Sequence, residues 1–142
     1  MGIFPHQYKK QKRASIRNAR QEVRMYKVAL AALDTAGGVA SIANPEGVEV
    51  LVTRVVIDVT TAATAACTVD AGIAANGTTL SDILIDGLDV NTAAGTFDNI
   101  TEKGTNGKSR QSWGASQFLT ISKASGAAAG LAGSVYIEYV IA

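Results

Sequence analysis

Hydrophobic and polar residues alternate along several short stretches of this chain, a pattern that predicts β-strands with one buried face. The clearest stretch is VEVLVTRVVIDVTT, residues 48–61, which is rich in β-branched side chains. Its alternation slips by one position near Thr53 and Arg54. A slip of one residue is produced by a β-bulge or by a strand that crosses between two sheets, and both are common in β-sandwiches.

Other alternating stretches are separated by turn sequences that contain glycine or asparagine. They predict strands at residues 26–33, 39–43, 67–73, 117–122 and 134–141. Short strands, frequent Gly turns and the lack of a long helical period after residue 30 predict an all-β fold, an antiparallel β-sandwich. Residues 80–90, LSDILIDGLDV, break the alternation and are predicted to form a helical turn or a buried crossover loop. Residues 104–109, GTNGKS, are predicted to form a hairpin loop with Lys108 and Arg110 facing water.

The first 27 residues have a different pattern. Residues before about Ala14 have no apolar periodicity and predict an extended lead. From there on, apolar residues recur at helical spacing (Ile16, Ala19, Val23, Tyr26), with arginines on another face (Arg13, Arg17, Arg20, Arg24). We therefore expect an N-terminal arm over residues 1–27, with a short amphipathic helix that orders against a partner or against the body, and a β-sandwich body over residues 28–142.

Charge divides the chain at the same place. Residues 1–27 hold eight basic residues and one acidic residue, a net charge of +7, whereas the other 115 hold five basic and eleven acidic residues, a net charge of −6. The overall charge of +1 conceals this division. The protein is thus predicted to be a basic arm joined to an acidic body.

The side chains that carry catalysis are few. The single histidine, His6, lies in the extended lead, and the single cysteine, Cys67, has the setting of a buried strand residue. One His and one Cys far apart cannot form a tetrahedral zinc site. Asp82, Asp86 and Asp89 lack the spacing of an EF-hand loop and are typical of turns. We expect no enzymatic activity, no cofactor and no metal.

The basic arm has three interpretations: a solvated tail, a nucleic-acid-binding segment, or a segment that docks on an acidic protein surface. The apolar stripe favours docking, since a segment that only neutralised phosphates would not need Ile16, Ala19 and Val23 in register. The residues predicted to bind a partner are Lys9, Lys10, Lys12, Arg13, Ile16, Arg17, Arg20, Val23 and Arg24.

Four phrases carry a resemblance to a known family: VASIANPEGVEVLVTRVVIDVTTAATAACTVDAGIA, LIDGLDVNTAAGTFDN, GTNGKSRQSW and AGSVYIEYVIA. Together they span residues 39–142, and this part of the chain resembles the cement or decoration proteins of tailed-bacteriophage heads. The resemblance implies a jelly-roll-like body, assembly as a homo-oligomer, often a trimer, and contacts with the major capsid protein at the joints between capsomers. The arm departs from the family pattern, so its docking role follows from its own residues.

These observations predict a structural virion protein on the capsid surface, made in the host cytoplasm. The first residues lack the apolar segment of a signal peptide, and no apolar run is long enough to cross a membrane, so we expect no membrane partner. One alternative is a nucleic-acid-binding or small coat protein that uses the arm. Another is a carbohydrate-binding or tail adhesion module, with Trp113 and the loops from Asp82 to Asp98 as the contacts.

Overall fold

The computed structural model describes residues 22–141, and within them every regular element is a β-strand. The strands are β1 (Glu22–Ala29), β2 (Ala40–Ala43), β3 (Val50–Thr61), β4 (Cys67–Ala74), β5 (Ile85–Asp89), β6 (Gly95–Asp98), β7 (Gln111–Trp113), β8 (Phe118–Gly126) and β9 (Ala132–Ile141).

These strands form two antiparallel sheets that pack face to face, so the predicted β-sandwich is confirmed. The first sheet has the order β1-β9-β3-β6, with β7 also paired to β3, and the second has the order β2-β8-β4-β5. Strands that follow one another in sequence mostly lie in different sheets. If β6 and β7 are counted as one interrupted strand, this is the eight-stranded order of a jelly roll.

Alternation along the strands builds the core between the sheets. In β3, Val50 and Val52 are buried on one phase, whereas Val55, Ile57 and Val59 are buried on the other. The pairing of β3 with β9 shifts between Val52 and Arg54, which leaves Thr53 as an extra residue. The slip in the sequence is therefore a β-bulge within one sheet, and it keeps the apolar side chains of both halves of β3 on the core face.

Strands β6 and β7 lie end to end along the same edge of β3. Asp98 is opposite Val56 and Trp113 is opposite Val50, so both strands run antiparallel to β3 in the same direction. Residues 99–110 leave this edge and return to it. The segment GTNGKS therefore lies in an excursion that interrupts one strand, and the predicted hairpin is corrected. Lys108 and Arg110 are exposed, as predicted.

Other predictions from the pattern need correction at their ends. Residues 85–89, within the stretch assigned to a helical turn or loop, form strand β5, because Leu88 pairs with Val69 and Ile85 with Ala71 across a shift of register between the two pairs. The first strand occupies Glu22–Ala29, four residues earlier than predicted at its start. Strand propensity and pairing with β9 thus prevail at residues 22–27, so the predicted helix is wrong there and these arm residues belong to the sheet.

Two residues with candidate chemistry lie inside the sandwich. Cys67 is 3% exposed, as predicted for a strand residue, and burial raises the pKa of its thiol. Trp113 is fully buried, donates its Nε1–H to the carbonyl oxygen of Gln117 at 3.0 Å, and packs edge-on against Tyr139 with 6.0 Å between ring centroids. Both side chains therefore serve packing.

Candidate docking surface at strand β1

Two of the residues predicted to bind a partner, Val23 and Arg24, lie in strand β1, at one edge of the first sheet. The other predicted residues lie outside the described part of the chain, namely Lys9, Lys10, Lys12, Arg13, Ile16, Arg17 and Arg20. The sequence pattern placed Val23 on one face of a helix with Ile16 and Ala19, but Val23 lies in a strand. The structure thus supports an exposed strand as the described part of the candidate surface.

Strand β1 is exposed along almost its whole length. Its pairing with β9 matches Glu22 with Ile141 and Ala29 with Ser134, and only Val28 is partly buried against the core. Consecutive residues of a strand point to opposite faces, so Val23 and Arg24 point to opposite sides of the sheet. Arg24 therefore lies on one face of the strand, and the apolar side chain of Val23 lies on the other.

Arg24 is held by carboxylates of the same molecule. Its guanidinium binds Glu22 Oε2 at 2.6 Å through Nη2 and both carboxylate oxygens of Glu46, at 2.8 and 3.0 Å, through Nη1. Glu46 Oε1 also accepts a hydrogen bond from the Tyr139 hydroxyl at 2.9 Å. The bonds to Glu22 and then Glu46 raise the pKa of Arg24, which stays charged. These hydrogen bonds hold the guanidinium beside the loop before β3.

The opposite face of β1 is the outer face of the sheet, and it is apolar where it is most exposed. Val23 is 65% and Met25 57% exposed, and the register sets them beside Val140 and Glu138 of β9. Lys27 follows on the same face, with its ammonium 5.4 Å from the centroid of the Tyr136 ring. Val23 and Met25 are thus two exposed apolar residues on one face of the same edge strand.

An acidic cleft is the second surface feature, and it lies beside β5 and β6. Its volume is about 550 Å³. The lining includes three carboxylates and no basic residue: Asp86, Gly87, Leu88, Asp89, Thr92, Ala93, Phe97, Thr101, Glu102 and Gly104. The predicted loops from Asp82 to Asp98 are therefore brought together, with Leu88 and Phe97 as apolar lining.

Two of the three carboxylates in this cleft, Asp86 and Asp89, already have hydrogen-bond donors within the molecule. Asp89 accepts from the Thr92 hydroxyl at 2.5 Å and from the backbone N–H of Asn91 at 2.8 Å, which lowers its pKa. Asp86 accepts from the backbone N–H of Asn106 at 3.0 Å. Among residues 22–141, no three histidine, cysteine or acidic side chains are grouped so that they could hold a metal ion. These aspartates hold loops, as turn residues do.

The tryptophan predicted as a carbohydrate contact is not at the surface. Trp113 has no exposed area, and its indole N–H is satisfied inside the sandwich, so it cannot stack on a bound sugar. Trp113 was therefore wrongly predicted as a carbohydrate contact. The adhesion alternative is left with the acidic loops as its predicted contacts. In the part of the chain that the structure describes, no helix is long and apolar enough to cross a membrane.

Comparisons with protein-family models, with curated proteins and with solved structures find no match to this chain.

Sequence reasoning missed Met25 and Lys27 as members of the exposed surface. Met25 lay at the end of the predicted helix and Lys27 at the start of the strand predicted over residues 26–33, so neither was grouped with Val23. The run EVRMYKVA has alternating character as well, with Val23, Met25 and Lys27 on one phase. That alternation could have indicated a strand, but the arginines at intervals of three and four residues gave the helical interpretation more support.

Proposed function

We propose that this protein is a capsid cement protein of a tailed phage, with a jelly-roll body that lies on the outside of the head shell and a basic N-terminal arm that binds the major capsid protein. The single observation that carries the proposal is the contrast between a rigid, acidic sandwich and the strongly basic segment that leads directly into its edge strand. The resemblance of residues 39–142 to such proteins supports the same function.

The charge of the body favours a protein partner over nucleic acid. Two of the basic residues near the junction are already engaged, since Arg24 is bound by Glu22 and Glu46 and Lys27 lies over Tyr136. A nucleic-acid surface gains affinity from phosphate contacts along a continuous basic face, and the body, with a net charge of −6, repels phosphate. A cement protein needs a rigid scaffold and an anchor, and several modest arm contacts in an oligomer add up to strong attachment.

The test is attachment of the full-length protein to head shells purified from the source phage. Arg17→Gln with Arg20→Gln should weaken attachment, and Ile16→Asp should weaken it to a similar degree. The matched control is Lys108→Gln with Arg110→Gln, which removes the same charge from the exposed loop after β6 and should leave attachment unchanged.

The same variants distinguish nucleic acid as the partner. Retention on a DNA column would then depend on Arg17 and Arg20 but not on Ile16, and log K against log salt concentration would have a slope that reports several phosphates. That result, together with failure of the wild-type protein to bind shells, would overturn the cement proposal.

A further inference from the structure

Strand β1 leaves a row of backbone hydrogen-bonding groups without a partner in the described part of the chain. The N–H of Leu30 bonds to Gly133 O at 2.9 Å, on the β9 side, and the N–H of Ala31 bonds to Val39 O at 2.8 Å, on the other side. Backbone groups of a strand alternate between its two edges. Even-numbered residues of β1 therefore bond to β9, whereas Val23, Met25 and Lys27 direct their N–H and C=O groups away from the sheet.

Most of the features that usually protect an edge strand are missing from β1. Edge strands are commonly short, bulged, interrupted by proline, covered by a loop or charged. Strand β1 is eight residues long, its register with β9 is unbroken and it contains no proline. Charge is the protective feature that it does have, and the charge of Arg24 is offset by Glu22 and Glu46. Strand β1 also holds three of the large hydrophobic side chains that are exposed within residues 22–141, Val23, Met25 and Tyr26. Backbone edge and side chains therefore both favour pairing with another strand.

We propose that β1 pairs antiparallel with β1 of a second copy of this chain, about a two-fold axis at Met25. The two sandwiches then share one continuous sheet. An isologous contact of this kind requires that the strand be complementary to its own reverse. The proposal concerns contacts between copies and does not depend on the proposed cement function.

The order of side chains in β1 meets that requirement. With Met25 opposite Met25 of the second copy, Arg24 lies opposite Tyr26, and Val23 lies opposite the alkyl chain of Lys27. Opposed cation and aromatic side chains attract, and no like charges are directly opposite. By contrast, an axis at Arg24 or at Lys27 would set two cations face to face, which destabilises strand pairing.

The direction of pairing also separates the first described residues of the two copies. In an antiparallel pair, Glu22 of one copy and Glu22 of the other lie at opposite ends of the joined strands. Each copy also carries its own Glu46, which is bound to Arg24 and offsets its charge close to the axis.

Disulfide trapping of the full-length protein tests the contact and its register. Residues opposite each other in a hydrogen-bonded antiparallel pair have Cα atoms about 5.5 Å apart, within the range of a disulfide. Met25→Cys should form a covalent dimer under mild oxidation. Lys27→Cys is the matched control on the same face of β1. It should not cross-link alone, because the two Lys27 positions are four residues out of register, but it should cross-link when combined with Val23→Cys. The native Cys67 is buried and should not contribute.

Sedimentation of the native protein provides an independent measurement. Wild-type protein should associate reversibly, and Met25→Lys, which sets two ammonium groups across the axis, should weaken that association by at least about tenfold. At a dilution where both proteins are monomeric, their melting temperatures should be equal, because association itself stabilises the folded state. Leu33→Lys, also at an exposed hydrophobic residue but outside β1, should change neither. A wild-type monomer, an oligomer indifferent to Met25→Lys, or equal cross-linking at Met25 and Lys27 would each overturn the proposal.

Discussion

Asn99 takes the place of a neighbouring strand for Val55. Its side-chain Oδ1 accepts the backbone N–H of Val55 at 2.8 Å, and its own backbone N–H donates to the carbonyl oxygen of Val55 at 3.2 Å. Val55 lies in the gap that β6 and β7 leave along the edge of β3. The side-chain amide of Asn99 also donates to Lys108 O at 3.0 Å, so one buried residue closes the sheet edge and ties both ends of the excursion together.

We predict that Asn99→Ala lowers the free energy of unfolding by about 1–3 kcal/mol, because it leaves the buried N–H of Val55 without an acceptor. Denaturant titration measures the loss. The control is Asn106→Ala, which removes an exposed bond from Asn106 Nδ2 to Asp82 and should cost much less. If the two variants lost equal stability, Asn99 would not have the role described above.

Gly126, the last residue of β8, has no room for a side chain beside the start of β4. Gly126 has φ of 75°, and a Cβ there would overlap the carbonyl oxygen of Ala66. Gly47 has φ of 70°, but a Cβ there would meet nothing within 4 Å. Gly47→Ala should therefore cost only the ~1 kcal/mol of a left-handed backbone, whereas Gly126→Ala should cost clearly more. Thermal unfolding of the two variants compares backbone strain alone with strain plus overlap.

Ionisation of Tyr139 should make the free energy of unfolding depend on pH in alkaline solution. Burial, and then the hydrogen bond to Glu46, raise the pKa of Tyr139 from its ordinary value of 10.0 to about 12. Since the pKa is higher in the folded state, the contribution is fully present below pH 10 and is lost as the pH rises towards 12.

Tyr139→Phe should therefore reduce the fall in stability between about pH 10 and pH 12, measured by denaturant unfolding at each pH. Tyr26→Phe, which alters an exposed ring on β1, is the control and should retain the wild-type fall. A Tyr139→Phe protein with the same alkaline dependence as the wild type would contradict the assignment.

Protonation of Asp98 should make the free energy of unfolding depend on pH in acidic solution. The backbone N–H of Thr101 at 2.9 Å, the Arg54 guanidinium at 2.7 Å and the backbone N–H of Ile100 at 2.8 Å hold the pKa of Asp98 well below its ordinary value of 3.8. Because the folded-state pKa is depressed, the contribution is present above about pH 4 and is lost as the pH falls below it.

Asp98→Asn should weaken the protein at neutral pH and make its stability less dependent on pH below about 4, as followed by acid titration of the unfolding midpoint. Asp58→Asn is a control on the facing strand, where the carboxylate accepts only the Thr96 hydroxyl, at 3.2 Å, among the described residues. An Asp98→Asn protein with the full acid sensitivity of the wild type would contradict the proposed source of the shift.

The sandwich could be predicted from the sequence because its long strands alternate and its turns contain glycine. Even the bulge at Thr53 was visible as a slip of phase. Strands β6 and β7 were missed because they are four and three residues long, too short for a period to emerge, and they are fixed by pairing with β3. The environment of Asn99 depends on that interruption and has no local signal.

The candidate surface could be predicted only in part. Val23 and Arg24 were singled out, but as members of a helix, because arginines at helical spacing outweighed a short alternation. Pairing with β9, more than one hundred residues later, decides the strand, and such a distant partner leaves no mark on the local pattern. Burial of Trp113 was likewise not evident, since a lone tryptophan in a polar stretch suits a surface contact equally well.

The most direct test of the proposed cement function is the copy number of this chain in phage particles. Quantitative mass spectrometry on particles purified by density gradient compares it with the major capsid protein. A ratio of one to one, or a simple fraction set by capsomer geometry, is the predicted result. A few copies per particle, or none, would contradict the account.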